Sequence, residues 1–320
     1  MSPVPVVVVV FNRPEYSQVC LESLYEADPG CLIWPIIVDN GSRKRTGAVL
    51  QDWISKYDTL SDSRKLVIKK PTLLRKEING GFASGVNDGL RVVLDSGDCG
   101  PTIILHNDTV VFEGWAGDML SCLNESDEEV AVIIPRTNYA NEHQMCIPEL
   151  RQKFIAIKPD NKSRIDTEEI KRILERLYGK DTKAPEVIKN ETLKMSYCSD
   201  LASFCMMIRP SILKKMPVWD EDFFPRGYED KFWFLPAERD GHVCMIANRT
   251  FVHHFGNITS DGPGFCFPEM IQVNKERYSR KVKELDSRNK EERNSSPNQR
   301  PLSEGSGLEK TSPGDVSEHS

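Results

Sequence analysis

The 320-residue chain is short of several things that would settle its class at once. Its nine cysteines include no C-x-x-C pair, which argues against a zinc ribbon. The cysteine number is odd, and Cys205 and Cys244 sit in apolar contexts, so buried reduced thiols are expected. There is no basic excess. The formal net charge is −6, and no basic stripe with interleaved aromatics occurs, which argues against a general nucleic-acid binder. No stretch approaches the roughly 18 apolar residues of a membrane span. The N-terminus lacks a basic region before its apolar run, and Val6 to Val10 is too short for a signal-sequence core. The expectation is a protein of the cytosol, or of a host cell's cytosol. Sequons such as Asn190-Glu191-Thr192 then read as chance matches. No internal repeat is found, and no Gly-rich basic loop follows the first apolar run.

What the chain does have is alternation. With 39% hydrophobic residues it can build a substantial core. Val4 to Val10 is a continuous β-branched run, as in a strand buried on both faces. Asn12 can cap the helix that follows, with Pro14 in its first turn and Glu15 completing a capping box. Leu32 to Val38 is a second strand; Pro35 inside it predicts a bend or an edge position. A helix from about Gly47 to Tyr57 and a short strand at Leu66 to Ile68 are expected next. Strands at Thr102 to Leu105, Val130 to Ile134, Phe204 to Ile208, Val243 to Ala247 and Thr250 to Phe255 continue the pattern. Such alternation implies an α/β fold with a mainly parallel, doubly wound sheet flanked by helices. From about 138 to 195 charge density rises and buried-strand runs disappear. Asp166 caps a helix there, Glu169 completes its box and Gly179 stops it. This is either an inserted α-rich subdomain, a lid, or a helix that merely covers the sheet. Residues 1–277 read as one domain and 278–320 as a disordered polar tail, with helix continuing to about Arg293.

Several stretches carry candidate chemistry. Thr102-Ile103-Ile104-Leu105-His106-Asn107-Asp108 ends a buried strand with a carboxylate at the sheet rim, where open α/β sheets bind ligands. Asp108 can hold a hard cation, which often completes its shell with phosphate and water; a simple Asn-Asp turn is the alternative. Asn79 to Gly89 contains four glycines without the G-x-G-x-x-G spacing, so a nicotinamide fingerprint is a poor match. Gly80 and Gly81 either admit a ligand close to the backbone before a helix N-terminus, or only close a helix against the sheet. Asp39 ends a strand and can accept from a nucleobase or ribose, or can make an Asx turn before Gly41. Glu229 and Asp230 start a helix; they stabilise its dipole, or one takes a proton from an acceptor hydroxyl. His253 and His254 alternate faces of a late strand, so at most one points at a given site.

Taken together these stretches resemble the family-two glycosyltransferases and their GT-A fold over about Val4 to Ser260. The run ending in Phe11, Asn12, Arg13 and Pro14 looks like the family's first strand and turn. Asp39-Asn40-Gly41-Ser42 is similar to its nucleotide-contacting strand end. Asn79-Gly80-Gly81-Phe82-Ala83 with Gly85 and Asn87 resembles its N-x-G-F-A-x-x-x-N stretch. Gly227-Tyr228-Glu229-Asp230 resembles its acidic motif, in which the second acid usually serves as base. His254-Phe255-Gly256 looks like the histidine that joins the metal site. The family's Asp-x-Asp is here His106-Asn107-Asp108, with one carboxylate left and His106 available to assist.

The resemblance implies an inverting, metal-assisted transfer of a sugar from a nucleotide diphosphate sugar to a glycan, protein or small-molecule acceptor. It implies nucleotide-sugar contacts from Phe11, Asn12, Arg13, Asp39, Asn79, Gly80, Gly81, Phe82, Asn87 and Asn107. Mn²⁺ or Mg²⁺ would sit on Asp108 and His254, and Asp230 would be the base with Glu229 in reserve. The acceptor side falls to the insertion and the Trp219–Tyr228 loop. A retaining GT-A transferase and a non-catalytic sugar-nucleotide or protein-binding module are the alternatives.

Overall fold

A computed structural model of the chain describes residues 2–97, 100–140, 145–159, 165–180, 183–256, 258 and 267–295. The chain divides into one unit up to Tyr278 and a second from Ser279. The described part of the second is the distal half of the last helix, so the expected disordered tail of 278–320 is helical up to 295, and the rest of it lies outside the described residues.

The chain opens with β1 (Val4–Val10), α1 (Pro14–Glu26), β2 (Ile33–Asp39) and α2 (Lys44–Lys56). Every residue of β1 and β2 is buried, as expected of apolar, largely β-branched runs covered on both faces. The turn after β1 departs from expectation. Asn12 does not cap α1; Arg13 occupies that position in left-handed backbone and makes no side-chain cap bond. Asn12 instead accepts at Oδ1 from Arg43 N (3.0 Å), while its own N–H donates to Ser42 Oγ (2.9 Å). A bond between two rim loops fixes both of them, which a local cap would not do. Glu15 pairs with Arg45 at 2.8 Å rather than closing a capping box.

Pro35 lies in an interior strand, and the reason it is tolerated is parity. The carbonyls of Ile33 and Asp39 both accept from the β3 side, from Lys69 N and Lys76 N, so odd-numbered residues of β2 face that neighbour. Pro35 falls in the gap before the ladder with β3 (Thr72–Arg75) begins at Ile36, so no partner is deprived of its missing N–H. The strand expected at Leu66 to Ile68 is a correction. Ser61 caps α3 (Asp62–Val67) by accepting from Arg64 N, and that helix absorbs Leu66 and Val67. Ile68 keeps a single bridge to Ile33.

Next come α4 (Phe82–Asp95), β4 (Thr102–His106), β5 (Thr109–Val111), α5 (Trp115–Glu125) and β6 (Val130–Arg136). The glycines of α4 serve packing. A methyl at Gly85 would lie 2.5 Å from Val9 Cγ1, and one at Gly89 would collide with Val7 Cγ1. Positions i and i+4 share a helix face, so these two let α4 lie directly on β1. The α-rich segment holds α6 (Pro148–Ile157), α7 (Thr167–Tyr178) and α8 (Glu186–Lys189). Asp166 caps α7 as expected, accepting from Glu169 N at 2.8 Å. Ile170, Ile173 and Leu174 of α7 join Phe154, Phe255 and Ile258 in a second core with Tyr16 and Val19 of α1. The helix therefore packs on α1.

The remaining elements are β7 (Met195–Cys198), β8 (Cys205–Ile208), α9 (Pro210–Lys215), α10 (Glu229–Arg239), β9 (Val243–His254) and α11 (Phe267–Ser295). The sheet runs β3-β2-β1-β4-β8-β6-β9-β5, with β7 also on β9. It is parallel through β3-β2-β1-β4, and β8 inserts antiparallel between β4 and β6. The two late strands expected at 243–247 and 250–255 are one. Its polar middle survives because Asn248 N donates to Lys194 O and the Arg249 guanidinium donates to the carbonyls of Glu191 and Thr192. Seven cysteines among the described residues are free, six of them buried. No described helix is long and apolar enough to cross a membrane.

Candidate active site

The sheet order sets the C-terminal ends of β2, β1 and β4 side by side, so three turns distant in sequence share one rim. At the first, Asp39 is 1% exposed. Its Oδ1 accepts from Ser42 N (2.9 Å), and its Oδ2 lies 3.6 Å from Arg75 Nε on the adjacent strand. Asn40, which sequence reasoning passed over, ties this turn to the glycine-rich one. Its amide donates to Asn79 Oδ1 (3.0 Å) and Gly81 O (2.8 Å) and accepts from Gly80 N (3.2 Å). Gly81 has φ 85 and lies against Phe224 and Pro225; Phe82 N donates to Pro225 O at 2.8 Å. Phe11, Asn40, Asn79, Phe82, His106 and Asn107 all line one cleft above these strand ends, closed by Pro225, Arg226 and Met270. Asn107 donates to Ser17 Oγ (2.9 Å), whose hydroxyl binds the Arg13 carbonyl. Asn87 lies elsewhere. Its amide donates to Trp219 O and Glu221 Oε1 (2.9 Å each) and accepts from Trp219 N (2.7 Å). It holds a loop and does not face the cleft.

Between β4 and β5 the chain makes a two-residue turn, Asn107-Asp108, secured by Thr109 Oγ1 donating to His106 O (2.7 Å). The turn and the carboxylate site are the same feature. β5 pairs antiparallel with the end of β9, with Thr109 opposite His254. That register sets His254 Nε2 3.4 Å from Asp108 Oδ1, and His106 Nδ1 at 3.8 Å from the same oxygen. One ligand atom from each of these three residues lies within 4.8 Å of the others. His254 is aimed by Nδ1 against Tyr139 O (2.8 Å) and by paired bonds between its backbone and the Asn138 amide. Phe204 stacks on its ring at 5.1 Å. His253 faces the other way and bonds Tyr178 through Nδ1 (2.7 Å).

Burial pushes the Asp108 carboxyl up, but the imidazoles of His254 and His106 and the Arg226 guanidinium outweigh it, and the group stays ionised well below the usual range. Burial pushes His106 down to about 3, with Asp108 opposing and Arg226 assisting, so it is neutral. The Nε2 atoms of His106 and His254 are buried and have no hydrogen-bond partner among the described residues. One carboxylate and two imidazoles suit a divalent cation that takes its other ligands from phosphate and water.

α10 begins in the wall of a second cavity of about 290 Å³, which His106, Tyr139, Phe204, Glu229, Asp230 and His254 line. The approach to α10 is tightly set. Gly227 and Tyr228 have φ 104 and 73, and a methyl on Gly227 would lie 2.6 Å from Ile271 Cδ1. The two acids differ sharply. Asp230 accepts from Ser203 N (3.2 Å) and Lys231 N (2.8 Å). Glu229 is 4% exposed, and its Oε2 has no partner among the described residues. Burial first, then the Asp230 charge, pushes its carboxyl up to about 8. Both acids, His254 and His106 thus converge on one cavity, and Asp108 lies just beneath. Ser203, Asn138 and Asn40 support the site without any local sequence signal, because each acts through a residue far along the chain. Asn257 and the segment 259–266 that follow His254 lie outside the described residues.

A mainly parallel sheet whose rim turns meet an acid–imidazole cluster beside a two-acid helix start is the GT-A arrangement. The sequence model for glycosyl transferase family 2 matches residues 6–174. The chain belongs to that family. No curated protein sequence matches it. Among solved structures, it is similar to TarS of S. aureus at 14% identity and TM-score 0.50, covering 79% of this chain and 36% of that one. It is also similar to GalNAc-T7 with UDP, GalNAc and Mn²⁺, at 13% identity and TM-score 0.50, covering 79% of this chain and 43% of that one. A third, the mannosyltransferase PcManGT of Pyrobaculum calidifontis with GDP-Man and Mn²⁺, aligns at 13% identity and TM-score 0.47, over 82% of this chain and 58% of that one. The chain spans roughly a third to three fifths of the length of the structures it resembles.

Proposed function

We propose that the protein transfers a sugar from a nucleotide diphosphate sugar to an acceptor hydroxyl with inversion at the anomeric carbon. The observation that carries this reading is that His254 and Asp230, from separate elements, line one cavity that abuts the rim cleft, with Asp108 3.4 Å from His254. The nucleoside lies in the cleft, with Phe11, Asn79, Phe82 and Asn107 as walls. Asn12, Arg13 and Asp39 shape the adjoining turns, and Gly80 and Gly81 let the backbone come close. Asp108 and His254, with His106, would hold Mn²⁺ or Mg²⁺. Such a cation supplies Lewis-acid neutralisation of the diphosphate. GalNAc-T7, which shares the fold, is described with UDP and Mn²⁺, and these are the first ligands to try.

Asp230 acts as the base. Its carboxylate is oriented by two backbone N–H donors and opens on the cavity. Glu229 carries its proton at neutral pH and so is unsuited to accept another. Alignment of acceptor and donor could supply roughly 7–11 kcal/mol at best. The acceptor is a glycan, a protein side chain or a small molecule; a net charge of −6 disfavours nucleic acid. Free buried thiols favour a reducing compartment such as the cytosol. The test is Asp230→Asn with a panel of donors. Transfer should fall by at least about 100-fold while nucleoside diphosphate affinity survives. Retained turnover would remove Asp230 from this role, and NMR of the product's anomeric configuration separates inversion from retention.

A further inference from the structure

The cleft and the larger cavity share two lining residues, His106 and Arg226. In a nucleotide diphosphate sugar the diphosphate lies between nucleoside and sugar. If the nucleoside occupies the cleft and the acceptor hydroxyl the cavity, the diphosphate must cross the seam between them. The residues at that seam are a histidine and an arginine.

Arg226 is not a loosely tethered surface cation. Pro225 O, immediately before it, accepts from Phe82 N at the start of α4 (2.8 Å). On the other side Asn274 of α11 is fully buried and donates to both Phe223 O and Arg226 O at 2.9 Å. Two helices therefore pin the backbone that carries the guanidinium. The charge pattern points the same way. The turn that would offer two carboxylates offers one, His106 standing in the other's place, and an arginine on a pinned backbone lies at the seam. Both differences favour a dianionic diphosphate. A planar guanidinium also matches phosphate oxygens in a two-bond fork.

We propose that Arg226 binds the diphosphate of the donor and stabilises the charge that builds on the leaving group. The inference rests on the donor-site reading above. In the step it serves, the acceptor oxygen forms its bond to the anomeric carbon as the bond from that carbon to the phosphate oxygen breaks. The electron pair leaves with the nucleoside diphosphate, beside Arg226, and the acceptor proton goes to Asp230.

The experiment is calorimetric titration of the full chain and of Arg226→Gln and Arg226→Lys with UDP, GDP, uridine and guanosine, in EDTA and in Mn²⁺. Arg226→Gln should weaken the diphosphate that the wild type prefers by roughly 10- to 100-fold in EDTA. Its affinity for the matching nucleoside should stay within about twofold, which also reports correct folding. Arg226→Lys should recover part of the loss. Unchanged diphosphate affinity in Arg226→Gln, or an equal loss for diphosphate and nucleoside, overturns the inference and leaves the donor-site reading standing. A wild type that binds neither diphosphate in either buffer removes both.

Discussion

Glu229 holds its proton because burial disfavours its charged form and the Asp230 charge opposes a second negative charge beside it. That has a measurable consequence for stability. In the unfolded chain a glutamate titrates near 4.3; in the folded protein Glu229 titrates at about 8. Below about pH 4.3 both states are protonated and the residue contributes no pH dependence. Between the two values the unfolded chain has released the proton and the folded one has not, so stability declines as pH rises, by about 1.4 kcal/mol per unit. From pH 5 to 8 that amounts to about 4 kcal/mol. Glu229→Gln keeps the shape of the protonated acid and removes the titration. Urea unfolding of both proteins at pH 5, 6, 7 and 8 should therefore show the glutamine variant gaining on the wild type by about 4 kcal/mol across the series. A difference that stays level would mean Glu229 is ionised in the folded state, and the argument that excludes it as the base would go with it.

Three further outcomes follow from the packing and the cluster. Gly89→Ala drives a methyl into Val7 and should lower unfolding free energy by about 1–3 kcal/mol; a neutral result in urea would mean α4 can lift from β1 at no cost. Asn87→Ala strips buried Trp219 N and O of their partner and should cost about 1–3 kcal/mol with nucleotide affinity kept. Weakened affinity at undiminished stability would make Asn87 a ligand contact instead. Asp108→Asn should abolish the rise in melting temperature that Mn²⁺ gives the wild type through preferential binding to the native state; an unaltered rise would locate the ion elsewhere.

The elements that could be read directly were those whose neighbours in sequence are also their partners in space. The buried runs at Val4 and Thr102 announce strands by composition alone, and Asp166 with Gly179 brackets α7 through bonds inside that helix. The misreadings share a cause of the opposite kind. Asn12 has the right chemistry for a cap, but a partner 31 positions away at Arg43 outcompetes the local bond. Leu66 to Ile68 has strand composition, yet a serine five residues upstream starts a helix through it. At the site, the carboxylates and imidazoles were legible because few other residues do their chemistry. Arg226, Asn40 and Asn274 were not, since an arginine or asparagine in a loop has many uses and only the fold singles these out. The glycines of 79–89 were legible as glycines but not as to purpose: Gly85 and Gly89 serve contact with β1, whereas Gly80 and Gly81 border the cleft.

β9 gives the molecule an order of assembly. Its first half sits inside the main sheet and its second half delivers His254 to Asp108, whose carboxylate also meets an amide 150 positions further on, at Ile258. Closing so long a loop carries an entropic cost that only a largely finished framework offsets. A nascent chain that has left the ribosome only as far as β6 has the first three rim turns in hand but no imidazole from the last strand. Any cation held by Asp108 and His254 would thus be captured only once the last strand is in place, and its uptake would mark chains that have completed folding.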